Sequence, residues 1–352
     1  MKKKLIYFIS GILIIVSAVS CDKQLDLSPV SSITDANYWK SPEQFDAFVY
    51  GIHARFRSHT SSLQALGELR SDIFGTEPGN AGTFSGEATQ GLERFWQQTL
   101  SLDAAGVSNF GDFYSNIVQI NLLIDKLNNS NIVTAANKNY YLGLAYGMRA
   151  YYYFQLTRAW GDVVIQTDPI SSIDVSNLAK AASPAADVMA LIKSDIENSV
   201  TSFGSDYSFR NTRSFWSKAA TLMLKAEVYL WTAHRSGGTA DANTALNALT
   251  DIETNVTGLT VLPSFASVFA SNNKGNNEII FAIRNKLNES SLPFAGTFYP
   301  QTALLANYYD SVGNRKFNVN QDNWAGLLRA PVTVSTFRKF NDLDSRKWFT
   351  IQ

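Results

Sequence analysis

The sequence has a single cysteine, Cys21, and only three histidines, His53, His59 and His234. A lone cysteine cannot close an internal disulfide. Three scattered histidines do not form a metal site, and His53 reads as a helix-surface residue. The chain also lacks a glycine-rich phosphate loop, a His-Glu-x-x-His pair and a cysteine available as a nucleophile. The usual motif-borne chemistries therefore have no carrier. Net charge is absent too, with 30 basic residues against 30 acidic. Lys2, Lys3 and Lys4 aside, 27 basic side chains face 30 acidic ones, a net of −3. A nucleic-acid partner would leave a basic footprint, and there is none. Long apolar runs are missing except at Leu5–Val19, which is too short for a membrane span.

That one run is informative. A basic start at Lys2–Lys4, a short apolar stretch and the small residues Ser17, Ala18 and Ser20 precede Cys21. This is the layout of an export signal over 1–20. Cys21 stands where a bacterial lipoprotein is cleaved and acylated, although Ala18 replaces the more usual Leu or Val. Two or three acyl chains on Cys21 are enough for stable membrane anchoring. The lipid would be the only group covalently added; no cofactor is implied.

The rest is a globular composition, 45% hydrophobic, 17% charged and rich in aromatics at 12%. Residues 21–40 read as a polar tether and 41–352 as a single domain. Ser41-Pro42-Glu43 is a helix start, and Phe45, Phe48, Val49, Ile52 and Phe56 follow at helical spacing. Residues 58–62 break the pattern, and a short helix is expected near Leu63–Arg70. Phe113, Ile117, Ile120, Ile124 and Leu127 form another apolar stripe. The centre of the chain is 139–160, where Leu144, Met148, Tyr151, Tyr152 and Gln155 share a face. Gly143, Gly147 and Ala150 leave room there for a neighbouring backbone, and Gly161-Asp162 stop the helix. Ser183-Pro184 and Ser217 start two further helices, and Ala245 to Val256 marks another. EIIFAIR (278–284) reads as a short strand and Thr302–Tyr309 as a brief helix.

Two helix pairs, 108–128 with 137–160 and 183–203 with 217–235, are similar to tetratricopeptide hairpins with degenerate spacing. The fold class expected is all-α: a tetratricopeptide-like helical-repeat scaffold over 41–57 and 108–256. Long irregular loops would occupy 71–107 and 257–352, with a few short strands in the C-terminal part.

An ordered set of motifs then resembles the SusD/RagB family of surface lipoproteins: DKQLDLSP after Cys21, YWKSPEQFDAFVYGIHARF, LGELRSDIF, FYSNIVQINLLIDKL, YGMRAYYYFQLTRAWGDVV, FWSKAATLMLKAEVYLW and NNEIIFAIR. The resemblance spans nearly the whole chain. It implies an outer-membrane lipoprotein, facing the exterior and held by its lipid alone, that captures glycans or other nutrients. The partner it implies is a TonB-dependent, SusC-like β-barrel transporter. Family members continue beyond a motif resembling FNDLDSRKWFTIQ, so the chain reads as a C-terminally incomplete version.

Sugar capture needs flat apolar faces for the C–H side of the ring and planar polar groups for its hydroxyls. In the loop-rich parts the candidates are Phe84, Trp96, Tyr299 and Trp324, with Asn80, Arg94 and Asn323 nearby. The competing reading for each aromatic is loop packing. Tyr151, Tyr152 and Tyr153, with Trp39, Trp160, Trp216 and Trp231, read as core. A glycosidase needs only two carboxylates, and Asp72, Glu77, Glu87 and Glu93 lie in one irregular stretch, so hydrolysis stays open beside solvation of those acids. A helical-repeat interaction module without a small ligand is the other alternative. SNNKGNNE (271–278) reads as a polar turn in preference to a calcium loop.

Overall fold

The structure is a computed structural model. It describes residues 38–75, 91–107, 110–170, 179–210, 212–286, 288–290, 295–298, 313–314 and 329–350. The expectations for the signal, Cys21, the tether up to residue 37 and the helix at 302–309 lie outside these residues.

The chain divides into two units, Met1–Ala47 and Phe48–Gln352. In the first, the Tyr38 and Trp39 rings meet edge to face at 4.9 Å and Trp39 lies 4.9 Å from Phe45. Helix α1 (Pro42–Ser58) begins here. Proline takes its first position, and Gln44 Oε1 reaches back to accept from the Lys40 and Ser41 amides at 2.6 and 2.9 Å, one half of a capping box.

In the second unit α2 (Thr60–Leu66) follows α1 after His59 alone, so the break is narrower than the spacing predicts. A 3-10 turn, Glu68–Arg70, completes it. Then come α3 (Glu93–Trp96), α4 (Phe110–Asn128), α5 (Ala135–Trp160), α6 (Ala185–Phe203), α7 (Lys218–Thr232) and, after a π turn, α8 (Gly238–Asn255). Shorter helices follow: α9 (Phe265–Phe269), α10 (Ala295–Phe298), α11 (Val334–Lys339) and α12 (Ser345–Thr350). The all-α expectation holds. The strands do not: among the described residues β pairing is limited to two isolated bridges, Phe74 with Val332 and Val163 with Ser183. Residues 278–284 are irregular; a strand needs a partner, and here Ala282 N donates to the lone Arg213 carbonyl at 2.9 Å.

α5 is the hub. It packs on α4, α6 and α7, and α7 in turn on α8. Tyr152, Tyr153 and Phe154 are fully buried, as an all-round apolar helix requires. The glycines are where α6 and the chain before α7 come close. A Cβ on Gly143 would fall 2.7 Å from the Phe203 ring, and one on Gly147 would fall 2.3 Å from Trp216 Nε1. Ser199 of α6 donates to the Gly143 carbonyl at 2.6 Å. Gly161, at φ +74, ends α5.

The Ser183-Pro184 start differs from its sequence reading. Ser183 is held in the bridge to Val163, and Pro184 occupies the cap position with no side-chain acceptor of its own. Asp162 supplies that acceptor, taking a 2.8 Å hydrogen bond from the Ala185 amide. The Trp-Gly-Asp element therefore ends one helix and caps the next. Ser217 caps α7 as expected, accepting from Ala220 N.

Candidate functional site

The two loop-rich stretches meet. Residues 72–75 and 332–336 run side by side: Gly75 N donates to Pro331 O at 3.1 Å, Thr333 N to Ile73 O at 2.8 Å and Thr336 Oγ1 to Asp72 O at 3.3 Å. Ala330 N donates to Thr297 O at 3.1 Å, which ties α10 to the same place. Beneath these bonds lies a buried cluster of Ala65, Leu69, Phe95 and Ala330, with Phe74, Leu92, Trp96, Val107 and Phe298 packed against it. The Phe74 and Phe298 ring centres are 5.3 Å apart. Gly75 is closely approached here: a Cβ would sit 3.0 Å from Thr333 Cγ2 and 3.8 Å from Trp96. Gly75 and Gly91, which flank 76–90, and Phe298 and Arg329, which flank 299–328, thus all stand at or beside this one platform.

Its polar character is unusual. Five buried side-chain atoms among the described residues have no hydrogen-bond partner: Gln64 Nε2, Arg94 Nε, Arg329 Nε, Arg213 Nη1 and Asn116 Oδ1. The first three belong to residues directly beside Ala65, Phe95 and Ala330 of the platform. A buried donor left unpaired costs about 1–3 kcal/mol. Three of the five thus fall in residues that adjoin this one cluster in sequence.

Of the residues singled out from sequence, Arg94 and Trp96 are in this platform, on the single turn α3. Trp96 is half-buried, so both the packing and the stacking readings find support in it. Asn80, Phe84, Tyr299, Asn323 and Trp324 lie outside the described residues, as do Glu77 and Glu87. Gln64 and Arg329 escaped sequence reasoning because nothing local marks them; only the long-range junction of 72–75 with 329–333 does.

The histidines are scaffold. His53 is not a free surface residue: its Nδ1–H donates to Val49 O at 2.8 Å and its Nε2 accepts from Trp216 N at 3.0 Å. Burial pushes its pKa down to about 4. The two bonds also require the neutral ring, since a protonated Nε2 cannot accept. His59 lies 2.8 Å from the Tyr152 hydroxyl, and burial lowers its pKa too. In 271–278 Asn276 bonds the Val268 and Asn273 carbonyls, which makes this segment a self-closed polar turn.

Comparison with known proteins places this architecture. Residues 25–230, more than half of the chain, match the SusD-like family described as "Starch-binding associating with outer membrane". SusD-like protein P38 of Formosa agariphila is 27% identical over 346 residues, covering 94% of this chain and 59% of that protein. The solved structure of B. fragilis NanU superposes with a TM-score of 0.83 at 44% identity, covering 91% of this chain and 64% of that one. A SusD superfamily protein from Bacteroides vulgatus gives 0.80 at 40%, covering 88% and 63%. The chain thus spans about six-tenths of the length of these relatives. It belongs to the SusD-like family.

Proposed function

We propose that this chain is a binding protein, not an enzyme, that captures oligosaccharide at the outer membrane and delivers it to a TonB-dependent, SusC-like β-barrel transporter. Family membership supports the carbohydrate class, since the family is described as starch-binding. The observation that carries the site is the platform itself: aromatic faces of Phe74, Trp96 and Phe298 beside the unpaired nitrogens of Gln64, Arg94 and Arg329. Aromatic faces pack against the C–H side of a sugar ring, and nitrogen donors donate to its hydroxyl oxygens. The lipid on Cys21 would hold the protein to the membrane, facing outward.

Calorimetric titration of the whole chain with α- and β-linked glucan, xylan and mannan oligosaccharides tests the reading. Saturable heat with at least one, weakened in Trp96→Ala, is the expected result. No heat with any of them, together with a stable complex with a β-barrel partner, would make the chain an interaction module. Released product would make it a hydrolase.

A further inference from the structure

A concave site lies on the helical scaffold and shares no residue with the platform. It is a cleft of about 470 Å³ between α1, the turn at 212–215 and the irregular segment 281–289. Its walls are aromatic. Tyr50, half-exposed, meets the Phe215 ring edge to face at 4.9 Å, and Phe281 stands against Phe56 at 5.8 Å. His53 stacks on Phe215 at 4.5 Å and 25°. Both its ring nitrogens are already bonded within the protein, so it is wall and not donor.

The rim is polar and mixed. Arg57 Nη1 donates to Glu289 Oε1 at 2.5 Å and to Ser290 Oγ at 3.2 Å. Arg57 beside it holds the Glu289 carboxyl below its ordinary range. Thr212 and Ser214 add hydroxyls, and Arg284 is an exposed cation that completes the lining. A purely apolar ligand would bury this rim unpaired, and the one carboxylate in it among the described residues, Glu289, is already matched by Arg57. A ligand offering both donors and acceptors around an apolar ring face satisfies walls and rim together. We infer that this cleft is a second saccharide-binding site, for one or two sugar rings, formed by Tyr50, Phe215 and Phe281 with Arg57, Arg284 and Glu289. Volumes of this size suit small ligands.

Gly51 makes the test clean. It lines the cleft, and a Cβ there would meet nothing within 4 Å. Gly51→Gln therefore grows a side chain from a cleft-lining position whose Cβ is free of clashes, and replaces a poor helix former by a good one. Phe215→Ala removes an aromatic wall as a second probe. The full chain is titrated with the same glucan, xylan and mannan oligosaccharides, with maltotriose and cellotriose as the short probes. The wild type is expected to show two classes of site. Gly51→Gln and Phe215→Ala should each weaken one class at least tenfold and leave the other, while Trp96→Ala does the reverse. Unchanged isotherms in Gly51→Gln overturn the cleft and leave the platform standing. Unchanged isotherms in Trp96→Ala with loss in Gly51→Gln overturn the platform and leave the cleft. A single class of site that Gly51→Gln leaves intact, or no binding to any probe, overturns the cleft.

Discussion

Arg149 and Asp195 face each other across the helix core through two hydrogen bonds of 2.7 Å, Nε to Oδ2 and Nη2 to Oδ1. The same guanidinium gives its third bond, 2.9 Å, to Asn121 Oδ1, and Asn121 Nδ2 donates to Gln166 O at 2.8 Å. One arginine on α5 therefore fixes α6 on one side and α4 with the chain after α5 on the other. Burial works against its charge, but the pairing with Asp195 outweighs it and holds the guanidinium above its ordinary value. Removing one partner from such a pair leaves the other charge buried alone, which costs about 3–5 kcal/mol. Asp195→Asn is expected to lose that much in denaturant unfolding. Arg149→Met with Asp195→Leu should lose clearly less than the two single changes added, because the pair leaves together. Additive losses would mean that the pair is not coupled.

The glycines of the same helices divide into two kinds. At Gly147 a Cβ would meet Trp216 Nε1, Thr221 Oγ1 and Ser199 Oγ at 2.3, 2.6 and 3.0 Å. Gly147→Ala is expected to destabilise by about 1–3 kcal/mol through overpacking, although alanine is the better helix former by about 1 kcal/mol. Gly51→Ala, in open space on α1, should stabilise by about 0.4–1 kcal/mol. Thermal melts of the two variants should move in opposite directions.

Stability should also depend on pH through His53. Its folded-state pKa, about 4, lies below the ordinary 6.5, so the fold prefers the neutral ring. A depressed histidine contributes its full share above pH 6.5 and loses it as pH falls from 6.5 towards 4. His59, lowered in the same direction by burial, adds to the slope. His53→Gln keeps an acceptor for Trp216 N without a titrating group. Its melting temperature should fall less than that of the wild type across this interval; parallel curves would remove His53 from the explanation.

Local signals made the scaffold legible in the sequence. The stripe from Phe113 to Leu127, the small faces at Gly143 and Gly147 and the cap at Ser217 each follow from spacing within one helix. What escaped depends on distant partners. Residues 278–284 have β-forming composition but, among the described residues, no strand to pair with. The acceptor for the α6 amide comes from Asp162 and not from Ser183, 23 residues away along the chain. His53 looked exposed because its partner, Trp216, is 163 residues on. The cleft depends on the Arg57–Glu289 contact, 232 residues apart, and the platform on the junction of 72–75 with 329–333. Trp96 and Arg94 could be singled out because aromatic and planar polar residues in an irregular stretch are themselves a signal; Gln64 and Arg329 carry none.

The platform's unpaired nitrogens set stability and binding against each other. Arg94 Nε and Arg329 Nε are buried without partners, so each contributes a desolvation cost to the ligand-free fold. Methionine can follow the apolar stem of either arginine without a donor to strand. Arg94→Met and Arg329→Met are therefore expected to leave unfolding stability unchanged or raised by about 1 kcal/mol. If a sugar hydroxyl meets these donors in the complex, the same variants lose a charged hydrogen bond to the ligand, about 1.5–3 kcal/mol or tenfold and more in affinity. Packing residues behave differently, since their removal lowers stability first and binding only as a consequence. Melts and oligosaccharide titrations on the same preparations separate the two. Lower stability with unchanged affinity would make both arginines structural and remove them from the site.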